Sequence, residues 1–169
     1  CGFFPDLGKC RCTPTQIRRY LNRVSGPFLD RIDIGVEVPR QDLGMMTAEK
    51  SIDEGSFPQT ERRDSSAVMR ARVMEARARQ EMRFAGEAIS YNSQMTRRQI
   101  EEYCRLSGED AVFLEKVERQ QGISARGHGK ILKVARTLAD LDGQAEIGRT
   151  QLAEAIGFRS FEKKYWGSL

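Results

Sequence analysis

The sequence lacks any apolar run near the roughly 18 residues that a membrane-spanning helix needs, and no signal-peptide pattern opens it. It also lacks the G-x-x-x-x-G-K-[S/T] loop that cradles nucleotide phosphates, so the chain alone is not expected to hydrolyse ATP. A large excess of one charge is absent too, because 28 basic and 24 acidic residues leave a net charge of only +4. We therefore expect a soluble, cytoplasmic protein whose charge permits contact with nucleic acid but does not require it.

Four cysteines in a chain without an export signal indicate reduced thiols or a metal site, not a disulfide scaffold. Cys1, Cys10 and Cys12 have the spacing C-x₈-C-x-C, which supplies three of the four thiolates that structural zinc prefers. Two interpretations stay open: an incomplete Zn²⁺ site, or three free thiols on a mobile loop. Cys104 falls on the apolar side of its helix and is predicted to be a small core residue.

Apart from one segment, the periodicity of the chain is helical. A first helix begins at Thr13-Pro14, and residues 32–38 then alternate apolar and polar side chains, which predicts a strand at a sheet edge. The sequence begins at Cys1 without a Met, so we expect a piece of a longer protein. The predicted segments are 1–38 with the Cys loop, one helix and the strand, 39–63 as a flexible linker, 64–157 as a bundle of four to five helices, and 158–169 as a tail.

Apolar residues at helical spacing give a predicted core. In the long helix over residues 64–85 the stripe is Ala67, Ala71, Met74, Ala78 and Met82. In the following helices the predicted buried residues are Ile100, Tyr103, Cys104, Val112, Phe113, Leu114, Val117, Ile131, Val134, Ala135 and Leu138. The polar face of the helix that begins at Ser124 is predicted to hold Arg126, Lys130, Lys133, Thr137 and Asp140.

Two arginines occupy positions that suit a phosphate ligand. Arg31 lies in the turn before the predicted strand, and its local alternative is an ion pair with Asp30 or Asp33. Arg126 lies in the first turn of a helix, where a cation opposes the helix dipole by about 0.3–1 kcal/mol. Its position therefore favours a role other than helix stabilisation, although an ordinary solvated residue is the alternative.

The motifs, taken in order, resemble the C-terminal part of the magnesium-chelatase-like AAA+ ATPases, and most of all their bacterial ComM-like branch. No single motif is specific, but the set in this order is. The residues that carry the resemblance are Cys10-Arg11-Cys12-Thr13-Pro14, Ser25 through Asp33, Ser66 through Gln80, Asn92-Ser93-Gln94, Ser124-Ala125-Arg126 and residues 135–141.

The resemblance implies a mainly α chain: a helical lid bundle preceded by the Cys loop, one helix and the last strand of an AAA+ α/β core. The pocket for ATP and Mg²⁺ would belong to an upstream ATPase core. Arg31 would be an arginine finger acting in trans, an effect worth about 10³–10⁵ in rate, and Arg126 would be the sensor 2 arginine on the ATP phosphate. Relatives carry one more upstream cysteine, which would complete a zinc site with Cys1, Cys10 and Cys12.

The resemblance further implies a ring of identical subunits, with DNA branch migration in recombination or transformation as the first hypothesis. A metal-insertion motor is the alternative within the same class. Alternatives from other classes are a zinc-stabilised nucleic-acid-binding module and a helical protein-interaction domain.

The arginines of the long helix, among them Arg72, Arg79 and Arg83, are a separate candidate for contact with DNA phosphates. Their alternative is a solvated helix stabilised by ion pairs between residues four apart. Aromatic side chains are not interleaved with these charges, so base stacking is not expected.

Overall fold

The computed structural model describes residues 1–4, 8–38, 65–159 and 165, and within them the chain is mainly helical. The helices are α1 (Pro14–Leu21), α2 (Gly26–Leu29), α3 (Ser66–Arg83), α4 (Arg97–Tyr103), α5 (Gly108–Gln121), α6 (Ala125–Leu141) and α7 (Arg149–Gly157), with a 3₁₀ turn at Asn92–Gln94. The predicted helical bundle is thus confirmed. None of the helices in these ranges is long and apolar enough to cross a membrane. The predicted linker, 39–63, lies outside the described residues.

Polar caps set the helix boundaries that the sequence predicted. At Thr96 the side chain accepts from the Gln99 N–H, while the Gln99 side chain accepts from the Thr96 N–H at 2.8 Å. Ser124 caps α6 by accepting from the Gly127 N–H at 3.1 Å. Helix α5 ends at Gly122, whose φ of 69° is a left-handed conformation that favours glycine.

Helix α6 is the centre of the bundle and packs against α3, α4, α7 and the 3₁₀ turn. Burying apolar side chains on several sides of one helix removes them from water, which is the main favourable term in folding. The buried apolar cluster consists of Phe84, Met95, Cys104, Leu114, Ile131, Leu132, Ala135, Ala139, Ile147, Leu152, Ala155 and Ile156. Cys104 is therefore a core residue, as predicted, whereas Val112, also predicted to be buried, is 66% exposed.

The predicted strand over residues 32–38 is not formed, and no strand occurs in the described ranges. The Gly35 N–H of this segment donates to the Phe158 carbonyl at 2.9 Å. A strand requires a row of backbone hydrogen bonds from a neighbouring strand. Since the described residues supply no such neighbour, the alternating pattern alone could not produce a strand here.

The orientation of α3 also corrects a prediction. Its buried residues are Ala76 and Gln80, and Arg83 and Phe84 continue this side of the helix into the bundle. The stripe predicted to face the core lies on another side, where Met74 is 59% and Met82 is 73% exposed. The buried side was overlooked because it includes polar residues whose hydrogen bonds are satisfied inside the bundle.

Those hydrogen bonds centre on Asp140, which was predicted on the polar face but is fully buried. Both guanidinium NH groups of Arg83 donate to its carboxylate, and Asn92 Nδ2 donates to Oδ2 at 2.8 Å. Arg136 NH2 lies 3.2 Å from Oδ1 and also donates to the Gln144 carbonyl. A buried carboxylate is tolerated because these charged donors compensate for its lost hydration.

Candidate functional site

A cavity of about 1250 Å³ lies among α4, α5 and α6, and both predicted arginines line it. Arg31 contributes from the turn after α2, and Arg126 from the first turn of α6. The structure thus brings together two residues that are 95 positions apart in the sequence. Their side chains are exposed to solvent, as a ligand from outside would require.

Five Lys and Arg side chains and three Glu side chains line this cavity, and most of them are already paired. Arg97 binds Glu101 at 3.0 Å, Lys130 binds Asp33 at 2.7 Å, and Lys133 donates to the Ser93 carbonyl at 2.9 Å. Within the described residues, the guanidinium groups of Arg31 and Arg126 have no hydrogen-bonding or ion-pair partner. The two predicted residues are therefore the cavity cations left free for an anion.

The local alternative for Arg31 is contradicted by the partners of its neighbours. Asp33 binds Lys130, and Asp30 Oδ1 lies 3.8 Å from Arg159 NH2 and 3.4 Å from Ser124 Oγ. Both carboxylates thus point to the bundle instead of pairing with Arg31. These contacts also join the turn that carries Arg31 to the helix that carries Arg126.

His128 lies on the cavity wall beside this site. Its Nδ1 is 2.7 Å from Glu118 Oε1, so the ring is bound by a carboxylate. The His128 side chain is also half-exposed to solvent. Gly127, which precedes it, is buried, and a Cβ built there would lie only 2.7 Å from the Ile123 Cγ2 atom. Glycine is therefore required at 127 by close packing, even though glycine weakens a helix.

The three N-terminal cysteines form a compact cluster. Their Sγ atoms all lie within 4.8 Å of one another, and those of Cys1 and Cys10 are 3.6 Å apart. Tetrahedral zinc with Zn–S bonds of about 2.3 Å places its sulfur ligands roughly 3.8 Å apart. The arrangement of Cys1, Cys10 and Cys12 therefore fits three zinc ligands and leaves the fourth position for another group.

The three arginines predicted to contact DNA have different environments. Arg72 is exposed, whereas Arg79 lies against Gly143, with its NH2 3.2 Å from where a Cβ would stand. Arg83 is bound to Asp140 inside the bundle, so its guanidinium is committed to the fold and not available to a phosphate. Its structural role corrects that part of the prediction.

Sequence reasoning missed two contacts near the cavity, the pairing of Asp33 with Lys130 and the contact of Arg159 with the N-terminal segment. No local signal indicates that Asp33 and Lys130 pair, because 97 positions separate them. Arg159 was counted in the tail, although it is buried and contacts the segment that carries Arg31. Only the three-dimensional arrangement shows these contacts.

Two family models match consecutive parts of the chain. The family described as "Magnesium chelatase, subunit ChlI C-terminal" matches residues 63–159, and "Magnesium chelatase, subunit ChlI" matches residues 1–46. The first match alone covers more than half of the chain. It ends at Arg159, where the described part of the helical bundle also ends.

Individual relatives point the same way. Competence protein ComM of Haemophilus influenzae is 42% identical over 151 residues, which are 89% of this chain and 27% of that protein. Uncharacterized protein YifB of Escherichia coli is 40% identical over 90% of this chain and 28% of its own length. The chain thus spans little more than a quarter of these relatives. From the family match and the order of its motifs, the chain belongs to the magnesium-chelatase-like family of AAA+-related proteins, in its ComM-like branch.

Proposed function

We propose that this chain is the lid and arginine-finger part of a ring-forming ATPase, in which Arg31 and Arg126 bind the phosphates of one ATP. The supporting observation is that both arginines line one cavity while every other basic side chain there has a partner. A guanidinium stays charged and can bind two phosphate oxygens at once, which makes arginine the suitable residue type.

Both arginines would act in trans, on a nucleotide held by the ATPase core of a neighbouring subunit. ATP and Mg²⁺ would be bound by that core, and Mg²⁺ would neutralise part of the phosphate charge. This chain would contribute two fixed cations where negative charge develops during phosphoryl transfer. Because Arg31 reaches this cavity from the N-terminal segment while Arg126 belongs to the bundle, nucleotide binding there would also depend on how the lid is placed.

The test uses the longer protein with its nucleotide-binding part. Arg31→Ala should lower ATP turnover by about 10³-fold or more, while binding of a fluorescent ATP analogue stays unchanged. Arg126→Ala should also lower turnover, and the double variant should lose less than the product of the two effects, since both groups act on one phosphate. Arg98→Ala, an exposed arginine outside the cavity, is the matched control. Normal turnover in both single variants would refute the proposal.

For the work done by the ring, we propose ATP-driven movement on DNA in recombination or transformation. The support is the likeness to a relative named as a competence protein. The exposed Arg72 and the partly buried Arg79 are the candidate phosphate contacts on α3. A metal-insertion motor, as the family description suggests, is the alternative.

DNA binding by the longer protein separates these two functions. Arg72→Ala and Arg79→Ala should weaken binding of a branched DNA and reduce the slope of log affinity against log salt by about one each. Arg98→Ala should leave that slope unchanged and serves as the control. DNA-independent ATP turnover with no measurable DNA affinity would favour the metal-insertion motor.

For the cysteine cluster, we propose that Cys1, Cys10 and Cys12 are three ligands of a structural Zn²⁺ whose fourth ligand comes from outside the described residues. Such an ion would link the N-terminal loop to the start of α1, since Cys12 directly precedes the Thr13 cap. Structural zinc contributes folding free energy because the unfolded chain has no formed site.

Co²⁺ substitution tests the zinc site. Thiolate-to-cobalt absorption in the near ultraviolet should appear in the wild-type chain and in Cys104→Ala, and should vanish in Cys10→Ser. The Cys104 variant is the matched control because that thiol is buried away from the cluster. Absence of cobalt–thiolate absorption in the wild-type chain would favour three free thiols.

A further inference from the structure

We propose that Arg159 is a positioning residue that holds Arg31 and Arg126 at a fixed separation on the cavity. The inference rests on the proposed function, because it explains how two distant parts of the chain present cations to one ligand. Arg159 lies just beyond the end of α7 and is only 5% exposed. It belongs to neither of the two segments whose arginines line the cavity.

One end of the Arg159 side chain binds the turn that carries Arg31. Its NH1 donates to the Ile32 carbonyl at 2.9 Å, and its NH2 lies 3.8 Å from the Asp30 carboxylate. Ile32 and Asp30 are the two residues that flank Arg31 in the sequence. The guanidinium therefore binds the residue on each side of the proposed finger, Ile32 through its backbone carbonyl and Asp30 through its carboxylate.

The same guanidinium also lies near the first turn of α6. A Cβ built on Gly127 would stand 3.9 Å from Arg159 Nε, so the arginine passes beside the residue that follows Arg126. Ser124, the cap of the same helix, reaches Asp30 with its Oγ at 3.4 Å. Arg159 thus binds both neighbours of Arg31 and lies near the residue that follows Arg126.

The burial of the Arg159 side chain supports this positioning role. Taking a guanidinium out of water is unfavourable unless charged or polar partners replace its hydration. Ile32 and Asp30 supply such partners, and both lie on the Arg31 turn. These partners offset part of the cost of burying Arg159 when that turn is seated on the bundle, which favours the seated state. Lys130 with Asp33, and the Gly35 N–H with the Phe158 carbonyl, add two further contacts to the same interface.

Amide hydrogen exchange in this 169-residue chain tests the inference without any nucleotide. The Gly35 N–H is protected only while the turn is seated, because its acceptor is the Phe158 carbonyl. Arg159→Met, which keeps most of the apolar stem, should speed exchange of the Gly35 amide about tenfold or more. The amides of Ala135 and Ala139, in the buried part of α6, should keep their protection.

Three variants make the test specific. Arg149→Met removes an arginine from the start of α7 on the bundle surface and should leave Gly35 exchange unchanged. Arg159→Lys keeps the charge but cannot bind the carbonyl and the carboxylate together, so it should restore protection only in part. Unchanged exchange of the Gly35 amide in Arg159→Met would overturn the inference. The inference would also fail if the amides of Gly35, Ala135 and Ala139 lost protection to the same extent, since an equal loss indicates general destabilisation.

A functional readout completes the test. Arg159→Met in the longer protein should lower ATP turnover while nucleotide affinity stays within about twofold, because the residue touches neither phosphate nor Mg²⁺. If Arg159→Met speeds exchange of the Gly35 amide but Arg31→Ala and Arg126→Ala leave turnover normal, the proposed function fails. The structural contact between Arg159 and the Arg31 turn would still be supported. If the arginine variants lower turnover but Arg159→Met does not, the positioning role fails and the proposed function stands.

Discussion

The Nζ atom of Lys130 lies 2.7 Å from a carboxylate oxygen of Asp33, and this ion pair joins α6 to the segment that carries Arg31. The Asp33 side chain is 60% exposed, so water and salt weaken the pair, and we expect it to contribute little stability by itself. The ion pair instead orients the N-terminal segment, because it sets which face of that segment meets the bundle. The buried Arg159 then holds that segment with stronger contacts.

Removing the carboxylate of Asp140 should strongly destabilise the bundle. Asp140→Ala leaves the guanidinium groups of Arg83 and Arg136 without their shared buried counterion, a change that typically costs about 3–5 kcal/mol. Urea unfolding followed by circular dichroism measures the loss. Glu115→Ala breaks the exposed pair with Arg119 and should cost only about 0.3–0.5 kcal/mol. A loss below about 1 kcal/mol for Asp140→Ala would contradict the central role of this carboxylate.

Two glycines of α6 should respond in opposite ways to alanine. Gly129→Ala should raise the free energy of unfolding by up to about 1 kcal/mol, since alanine favours the helix and its Cβ would meet Ile100 Cδ1 at an ordinary 3.5 Å. Gly127→Ala should lower it, because its Cβ would meet Ile123 Cγ2 at 2.7 Å. Thermal unfolding of both variants checks the prediction. Equal stabilisation of the two variants would contradict it.

The thiol of Cys104 should be the last of the four to react. Burial raises its pKa from an ordinary value of 9.0 to about 11, and the thiolate is the reactive form. Iodoacetamide at pH 8 should modify Cys1, Cys10 and Cys12 in the folded chain and reach Cys104 only after unfolding. Peptide mass mapping over time measures this order. Early labelling of Cys104 would contradict its burial.

The same pKa predicts how stability changes with pH. As pH rises past 9, the Cys104 thiol of the unfolded chain ionises first, so this residue lowers the stability of the folded state between pH 9 and about 11. Below pH 9 it has no such effect. Cys104→Ala should therefore lose less stability than the wild type between pH 8 and 10, as urea midpoints would show. An identical loss in both proteins would contradict the shift.

Asp110 should titrate below its ordinary range because Arg149 donates to its carboxylate, with Ser107 as a second donor, and both lower its pKa. The stabilisation from this pair is present above the ordinary Asp pKa of 3.8 and is lost as pH falls through the lower folded value. Arg149→Ala should raise the pKa of Asp110 towards 3.8, as carboxyl NMR titration would show. An unchanged titration would mean that Arg149 does not bind the carboxylate in solution.

Much of the fold could be predicted from the sequence because helix boundaries depend on local chemistry. Thr13, Thr96, Ser107 and Ser124 each accept from a backbone N–H within three residues, so the information needed to place them is contained in one turn. The resemblance similarly indicated Arg31 and Arg126 before the structure showed them on one cavity.

The predictions that were wrong concern features that depend on residues distant in the sequence. The sequence of α3 offers two sides for burial, and its pattern predicts the apolar stripe that includes Met82, not the side with Gln80 and Arg83. The buried side is the polar one because Asn92 and Asp140 satisfy those polar side chains in the bundle. The strand failed for the same reason, since alternation cannot show whether a neighbouring strand exists.

The uneven burial of α3 has a consequence for how the bundle opens. From Ser66 to Glu75 every side chain is exposed, whereas Ala76, Gln80 and Phe84 anchor the remainder to α6. These first ten residues thus gain little from burial, and a short helix that lacks it is marginal in water. We expect this half to fray at room temperature well before the domain unfolds, as a hinge-like extension whose length varies with solvent and temperature.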